Sequence, residues 1–532
     1  MEKTNHIENI LLILLTILFV WSIGTKMPFL QDDFIFSNPS LMFKYESQPS
    51  PKIGFPKSLY FPRSNQCYWR PLTQNLWLAN TLNFQAFPNS EFPLLAHLVS
   101  IILFWICCIE VYFLSYFFID NIFPAKDNFY KYSIAQITAL IFSCRAIWFL
   151  GVVWASGQQE LIGFILSIGS VLFFLKHYYL LTAILYSLAL LSKENAVLSL
   201  IIFLPLIIFS HRYRTNREVC TFSNNPTLKK GVSASQTGNF NIINSITQQT
   251  NQYNINKTKI YLCFALPTLI YILIRISYIM PLVEPLPFAA PVQIIENLAA
   301  SLLMLFDTNR EILRNYAQLK FVFYIITGVF LSLFSLVIFL YIVSKTKIYL
   351  KNDELKIRKK ILIMFICSLI CIAPSCLLPS TPYGYYLMYS GILFYTIIGI
   401  LISFLNRKSK NVLIILFILS GLLGVVYQIY SPSGNYQRAV QAVKHRNFLK
   451  TVKLPNDTEK VIIYGFSKSE IWAMGWGFGI SLDVEGKSTK MPFDRNHIKF
   501  IANEDIGENF NNEGKIKIII HKPSQLRNGA FF

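Results

Sequence analysis

Asp32 and Asp33 stand side by side a few residues past the first long apolar run of a chain that is mostly apolar. Adjacent carboxylates just outside a bilayer are poor anchors and poor core. A carboxylate there can take the proton of an attacking hydroxyl, and two together can share a divalent ion. A solvated turn after a helix is the plain alternative, since Asp is common in turns. Further along are Arg70, framed as Tyr68-Trp69-Arg70-Pro71-Leu72, and the polar step Ser192-Lys193-Glu194-Asn195 between two apolar runs. Arg275 interrupts the run Tyr271-Ile272-Leu273-Ile274-Arg275, Arg145 stands inside another, and Glu160 stands at the edge of a third. Charged side chains at such positions are costly and usually face a cavity or a partner. Acids beside cations suit activation of a hydroxyl together with recognition of a phosphate, for which a planar guanidinium is apt. Each residue also has a plainer use. Lys193-Glu194 could be an interfacial ion pair, Arg275 could snorkel to the interface, Arg145 and Glu160 could pair with each other, and His97 could be a packed helix residue. Zinc-ligand spacing, a P-loop and a dinucleotide glycine pattern are all missing from the sequence.

These residues have to be positioned by membrane helices. The 532 residues are 53% hydrophobic and 14% charged, against about 25% charged in soluble domains, and mean hydropathy is positive. The apolar runs are continuous and many approach the roughly 20 residues that cross a bilayer, which excludes the alternating pattern of a β-barrel. Hydropathy predicts about eleven spans, near 9–26, 93–119, 132–151, 159–175, 178–191, 195–210, 259–283, 320–343, 361–378, 387–405 and 412–430. The stretch from Ile10 to Ile23 lacks a small-residue cleavage site and reads as a retained helix.

The net charge of +20 comes from 48 Lys and Arg against 28 Asp and Glu. It sits in loops and orients helices; it does not imply nucleic acid. Basic loops at 211–259, 344–360 and 406–411 fall on one side of an eleven-span topology, which the positive-inside rule makes cytoplasmic. The N-terminus then lies inside. The acidic doublet, the Lys193 turn, the 379–386 turn and the C-terminal tail lie outside, so Asp32, Asp33, Arg70, His97, Arg145, Glu160, Lys193, Glu194, Arg275 and Tyr383 to Tyr386 share the outer level. Most of the nine cysteines lie inside apolar runs, so a disulfide framework is not expected.

Three segments depart from the apolar pattern. The first outer loop, 27–92, is too long for a connector, and 72–84 within it reads as a helix on the membrane surface, as does 291–306. The 211–258 segment, rich in Asn, Gln, Ser and Thr, reads as a disordered linker. The tail, 431–532, is polar and mixed, with a helix from Tyr436 to Val452 and strands at Val461 to Tyr464 and Ile516 to Ile520. The expected architecture is an all-α polytopic membrane domain, 1–430, followed by a small extracytoplasmic α/β domain, 431–532.

The order of Asp32-Asp33, Tyr68-Trp69-Arg70-Pro71-Leu72-Thr73, His97-Leu98, Gly157-Gln158-Gln159-Glu160-Leu161 and Leu191-Ser192-Lys193-Glu194 resembles the GT-C superfamily of membrane glycosyltransferases. It is most similar to the protein O-mannosyltransferase branch and its relatives with tetratricopeptide tails. Tyr383-Gly384-Tyr385-Tyr386-Leu387 is a further, weaker echo. The chain departs from that pattern at Arg145-Ala146, where the family often has His-Pro, at Gln158 and Gln159, where it often has Arg, and in a tail without repeats. The resemblance implies an inverting hexosyltransferase that moves a sugar from a polyprenyl-phosphate donor to an acceptor hydroxyl at the outer face of the plasma (inner) membrane. Asp32 or Asp33 would be the base. Arg70, His97, Lys193, Glu194, Arg275, Tyr383 and Tyr385 would bind the lipid phosphate and substrate. A divalent cation on Asp32 and Asp33 is left open, and the acceptor would be a protein, a glycan or a lipid. A transporter or flippase of a lipid-linked or anionic solute is the alternative; it predicts an inverted repeat, which the sequence does not display.

Overall fold

A computed structural model describes residues 2–26, 72, 92–154, 157–209, 257–279, 289–306, 354–378, 383–430 and 435–451, with short segments between 453 and 520. Asp32, Asp33, Arg70, the 72–84 helix beyond residue 72, the linker up to residue 256 and the span expected at 320–343 lie outside the described residues.

Among the described residues, seven helices are long and apolar enough to cross a membrane, and one bent pair passes the same test together. In chain order the helices are α1 (Glu2–Trp21), α2 (Phe92–Ile122), α3 (Asn128–Ser143), α4 (Ala146–Val153) and α5 (Gln158–Leu175). Then come α6 (Tyr179–Ser192), α7 (Glu194–Phe209), α8 (Thr258–Ser277), α9 (Pro291–Leu305) and α10 (Glu354–Cys376). A 3₁₀ turn, Gly384–Leu387, leads into α11 (Met388–Ser403) and α12 (Arg407–Tyr430). This is a polytopic membrane architecture.

Helices α2, α5 and α11 form the centre. Ile101, Phe104, Cys107, Val111 and Phe118 of α2 are buried, as are Leu161, Phe164 and Ile168 of α5 and Ile392, Leu393 and Tyr395 of α11. The outer faces keep large apolar side chains exposed, for example Leu266, Leu269 and Leu273 on α8 and Ile415, Leu419 and Leu423 on α12. In a bilayer those faces meet lipid.

Three expected spans turn out differently. The run at 132–151 breaks between α3 and α4 by 51°. Arg145 stands at the break with extended backbone (ψ 121°), and its buried guanidinium donates to the Ile141 carbonyl at 3.2 Å and to the Phe417 carbonyl of α12. A guanidinium in a bilayer needs acceptors, and the bend presents it to them. The runs at 178–191 and 195–210 form α6 and α7, shorter apolar helices joined at Lys193. Fourteen residues of α6 extend about 21 Å at 1.5 Å per residue, less than the roughly 30 Å hydrocarbon core.

Helix α9, expected along the surface, buries Asn297, Ala300, Ser301 and Met304 against α10. Asn297 Nδ2 donates to the Cys376 and Leu378 carbonyls at 3.1 and 2.8 Å. It thereby satisfies the end of α10, where carbonyls lack helical partners.

After α12 the chain forms α13 (Asn435–Thr451) and α14 (Lys468–Ala473), with strands β1 (Lys453–Leu454), β2 (Lys460–Phe466), β3 (Ser481–Val484), β4 (Met491–Pro492), β5 (Ile498–Ala502) and β6 (Ile516–Ile520). Strand β2 lies between β5 and β6, parallel to both, with Ile463 opposite Phe500 and Ile519. The other three strands pair in the order β1-β3-β4. Arg446 of α13 donates to the Met474 carbonyl at 2.8 Å, and burial pushes its guanidinium down from its ordinary range. His445 Nε2 lies 3.6 Å from Glu470 Oε1.

Candidate functional site

Lys193 is the centre of the polar groups at one end of the bundle. Helix α6 stops there because the backbone turns extended (φ −156°, ψ 133°), and the next turn starts at Glu194. That excursion directs the lysine inward. Its Nζ forms an ion pair with Glu160 Oε1 in the first turn of α5, and both side chains are nearly sealed, at 5% and 7% exposure. Gly163, one turn after Glu160, makes room: a Cβ there would lie 2.9 Å from Lys193 Cβ. The lysine Nζ also sits 5.7 Å from the centroid of the Tyr386 ring, within cation–π range.

Aromatic rings wall this pair. Tyr383 and Tyr385 stack with centroids 5.3 Å apart and planes 5° from parallel, and Tyr385 meets Tyr386 at 4.6 Å. Trp154, at the end of α4, lies 6.3 Å from Tyr385. The rings come from the 3₁₀ turn, which approaches α4 closely: a Cβ on Gly384 would overlap the Ile147 carbonyl, and one on Gly151 would lie 3.3 Å from Tyr385 Cβ. Below them Tyr389 and Ser167 share a hydrogen bond of 2.8 Å between α11 and α5.

Helix α2 supplies the third side. Gln158 donates to the Ala96 carbonyl at 2.8 Å and to Ser100 Oγ at 3.1 Å, which fixes the start of α5 against α2. His97 is buried in the same turn of α2. On the fourth side α6 and α8 run parallel: Cys263 contacts the Tyr179 carbonyl, and Tyr186 and Thr268 bond at 2.8 Å. Continuing both helices by two turns brings Lys193 and Arg275 to one level. Arg275 is half-buried there and donates to Tyr271 Oη at 2.8 Å.

Of the residues expected from sequence, His97, Lys193, Glu194, Arg275, Tyr383 and Tyr385 share this end of the bundle. Asp32, Asp33 and Arg70 lie outside the described residues. The expected use of Glu160 changes. It holds Lys193, whereas the guanidinium of Arg145 is engaged by α12 through Phe417 and Ser420. Sequence reasoning missed Trp154 and Gly163, and took Gln158 only as a departure from the family pattern. The glycine's spacing from Glu160 was the available signal, because a small residue one turn from a buried charge leaves space for a long side chain. Among the described residues no group of three or more His, Cys, Asp or Glu side chains could hold a metal ion.

Chemically, the arrangement keeps one ammonium out of water beside aromatic faces. An anion that reached Lys193 would meet a strong, weakly screened charge. The tyrosine faces suit flat apolar surfaces such as the C–H face of a pyranose. No family model and no curated protein matches the chain.

Proposed function

We propose that the chain is an inverting glycosyltransferase of the GT-C type, moving a hexose from a polyprenyl-phosphate donor to an acceptor hydroxyl. The buried Lys193–Glu160 pair under its tyrosine wall is the observation that supports the reading most. In this reading the site end of the bundle faces out of the cell from the plasma membrane. About eleven spans build the membrane domain, and residues 431–532 form a small extracytoplasmic α/β domain beside the site.

The donor lies in the outer leaflet with its phosphate toward Lys193, Arg275 and Arg70. An acidic-pair residue, Asp32 or Asp33, takes the acceptor hydroxyl proton as that oxygen attacks the anomeric carbon. The bond from carbon to phosphate oxygen breaks with inversion, and the lipid phosphate leaves with the electron pair. Cations fixed beforehand at the leaving group stabilise the charge as it develops, often the largest catalytic contribution. Lys193 exchanges Glu160 for the phosphate as the donor arrives and returns when the product leaves. Tyr383 and Tyr385 line the sugar, and Glu194 and His97 complete the wall.

The test is protein reconstituted in liposomes with polyprenyl-phosphate hexoses, assayed for free polyprenyl phosphate. Release in the wild type and its loss in both Asp32→Asn and Asp33→Asn, with lipid binding retained, would support the mechanism. Full activity in both single variants would remove it.

A further inference from the structure

Glu110 is a carboxyl group that the transfer chemistry leaves unused. It lies on α2, within the span Leu94–Ile122. At 1.5 Å per residue it is about 24 Å along the helix from Leu94 and about 18 Å from Ile122, near mid-bilayer. The side chain is half-buried, while its Oε2 atom is sealed from the surface and has no hydrogen-bond partner among the described residues. On the opposite side Gly169 of α5 makes room for the other oxygen: a Cβ there would lie 2.9 Å from Glu110 Oε1. Cys107, one turn earlier on α2, is wholly buried.

We infer that Glu110 is an intramembrane proton-binding site, a carboxylic acid seated against Gly169 that takes up and gives back one proton. An ionised carboxylate at this depth, with one oxygen sealed and unpartnered, would cost several kcal/mol. A bound metal ion would need several oxygen ligands, and the described residues offer no acidic or imidazole cluster for one. A single proton meets the need with no further ligand. Acidic side chains in such surroundings are typical of proton relays. This site is separate from the Lys193 end of the bundle, and either assignment can fail without the other.

The chemistry of an apolar carbodiimide reports directly on such a group. The acid O–H adds across one C=N bond, the carboxyl oxygen bonding to carbon and the proton going to nitrogen. The O-acylisourea then rearranges to a stable N-acylurea, with nothing lost. The experiment treats the full-length protein in liposomes with dicyclohexylcarbodiimide, or with a water-soluble carbodiimide, and maps adducts by peptide mass spectrometry. The expected result is an N-acylurea on Glu110 from the apolar reagent alone, absent in Glu110→Gln and reduced several-fold in Gly169→Ala. Wild-type protein unmodified at Glu110 while other carboxyls react, or Glu110 modified equally by the water-soluble reagent, would overturn the assignment. The wild-type result decides it even if a variant fails to fold.

Discussion

Each end of the bundle holds a lysine–carboxylate pair, and the two differ in what surrounds them. At the end opposite the candidate site, Lys131 lies 2.6 Å from Asp120, with side chains 6% and 17% exposed. The partners flank one helical hairpin, and the lysine also reaches the Pro124 carbonyl at 3.4 Å. That pair closes a turn. Nearby cations tie helices together: Lys360 of α10 donates to the Asn121 carbonyl and faces the Phe209 ring at 5.6 Å, and Lys410 of α12 donates to Ser133 Oγ at 3.4 Å. Lys193 instead pairs with Glu160 at the open end of the α5–α6 hairpin and faces the Tyr386 ring of a tyrosine cluster. Burial of a charged pair is therefore weak evidence of function by itself. What distinguishes Lys193 is the wall of rings beside it and the absence of a local turn that the pair would serve.

The contrast breaks most readily at the lysines. Lys193→Met is expected to reduce release of polyprenyl phosphate by roughly a hundred- to a thousand-fold, the usual cost of removing a preorganised charge-stabilising group. Lys131→Met should leave turnover per folded molecule near wild type. Equal losses in both would erase the distinction.

Removing the acids sharpens it in stability. Glu160→Gln leaves an ammonium buried without its counter-charge, a loss of about 3–5 kcal/mol, whereas Asp120→Asn should cost less because Lys131 keeps the Pro124 carbonyl. Thermal unfolding in detergent compares the two, and an order reversed from this would assign the structural pair to the site end. Gly384→Ala forces a Cβ onto the Ile147 carbonyl. Overpacking of that kind costs about 1–3 kcal/mol and should also lower activity, since the tyrosine turn would move off α4. Tyr130→Phe, at the opposite end, removes a 3.1 Å bond to Ser403. It should cost about 0.5–1.5 kcal/mol with turnover unchanged.

Some of this was legible in the sequence. Continuous apolar runs announce membrane helices because the bilayer demands length and internal hydrogen bonding. The Lys193 turn was visible as a polar step between two such runs. Its partner was not, because an acid at the start of one helix carries no record of which neighbouring helix packs against it. Arg145 illustrates the same gap. Its position mid-run signals a special place, but its acceptors are backbone carbonyls of α12, and any residue supplies a carbonyl. The bend between α3 and α4 has neither proline nor glycine to mark it. In the tail, β-branched runs identified β2 and β6, while their direct parallel pairing depends on a crossover between them that local pattern does not encode.

The bend has a consequence for biosynthesis. Gly421 and Gly424 of α12 pack directly on Cys144 and Ala146, and Phe417 takes the arginine's hydrogen bond. Until that last helix leaves the insertion machinery, the guanidinium at the kink has hydrocarbon where its acceptor should be. Since α4 also seats the tyrosine turn, assembly of the Lys193 wall waits on the end of the membrane domain. A nascent chain arrested before residue 407 would carry every described residue of the wall and still be a substrate for quality-control proteolysis.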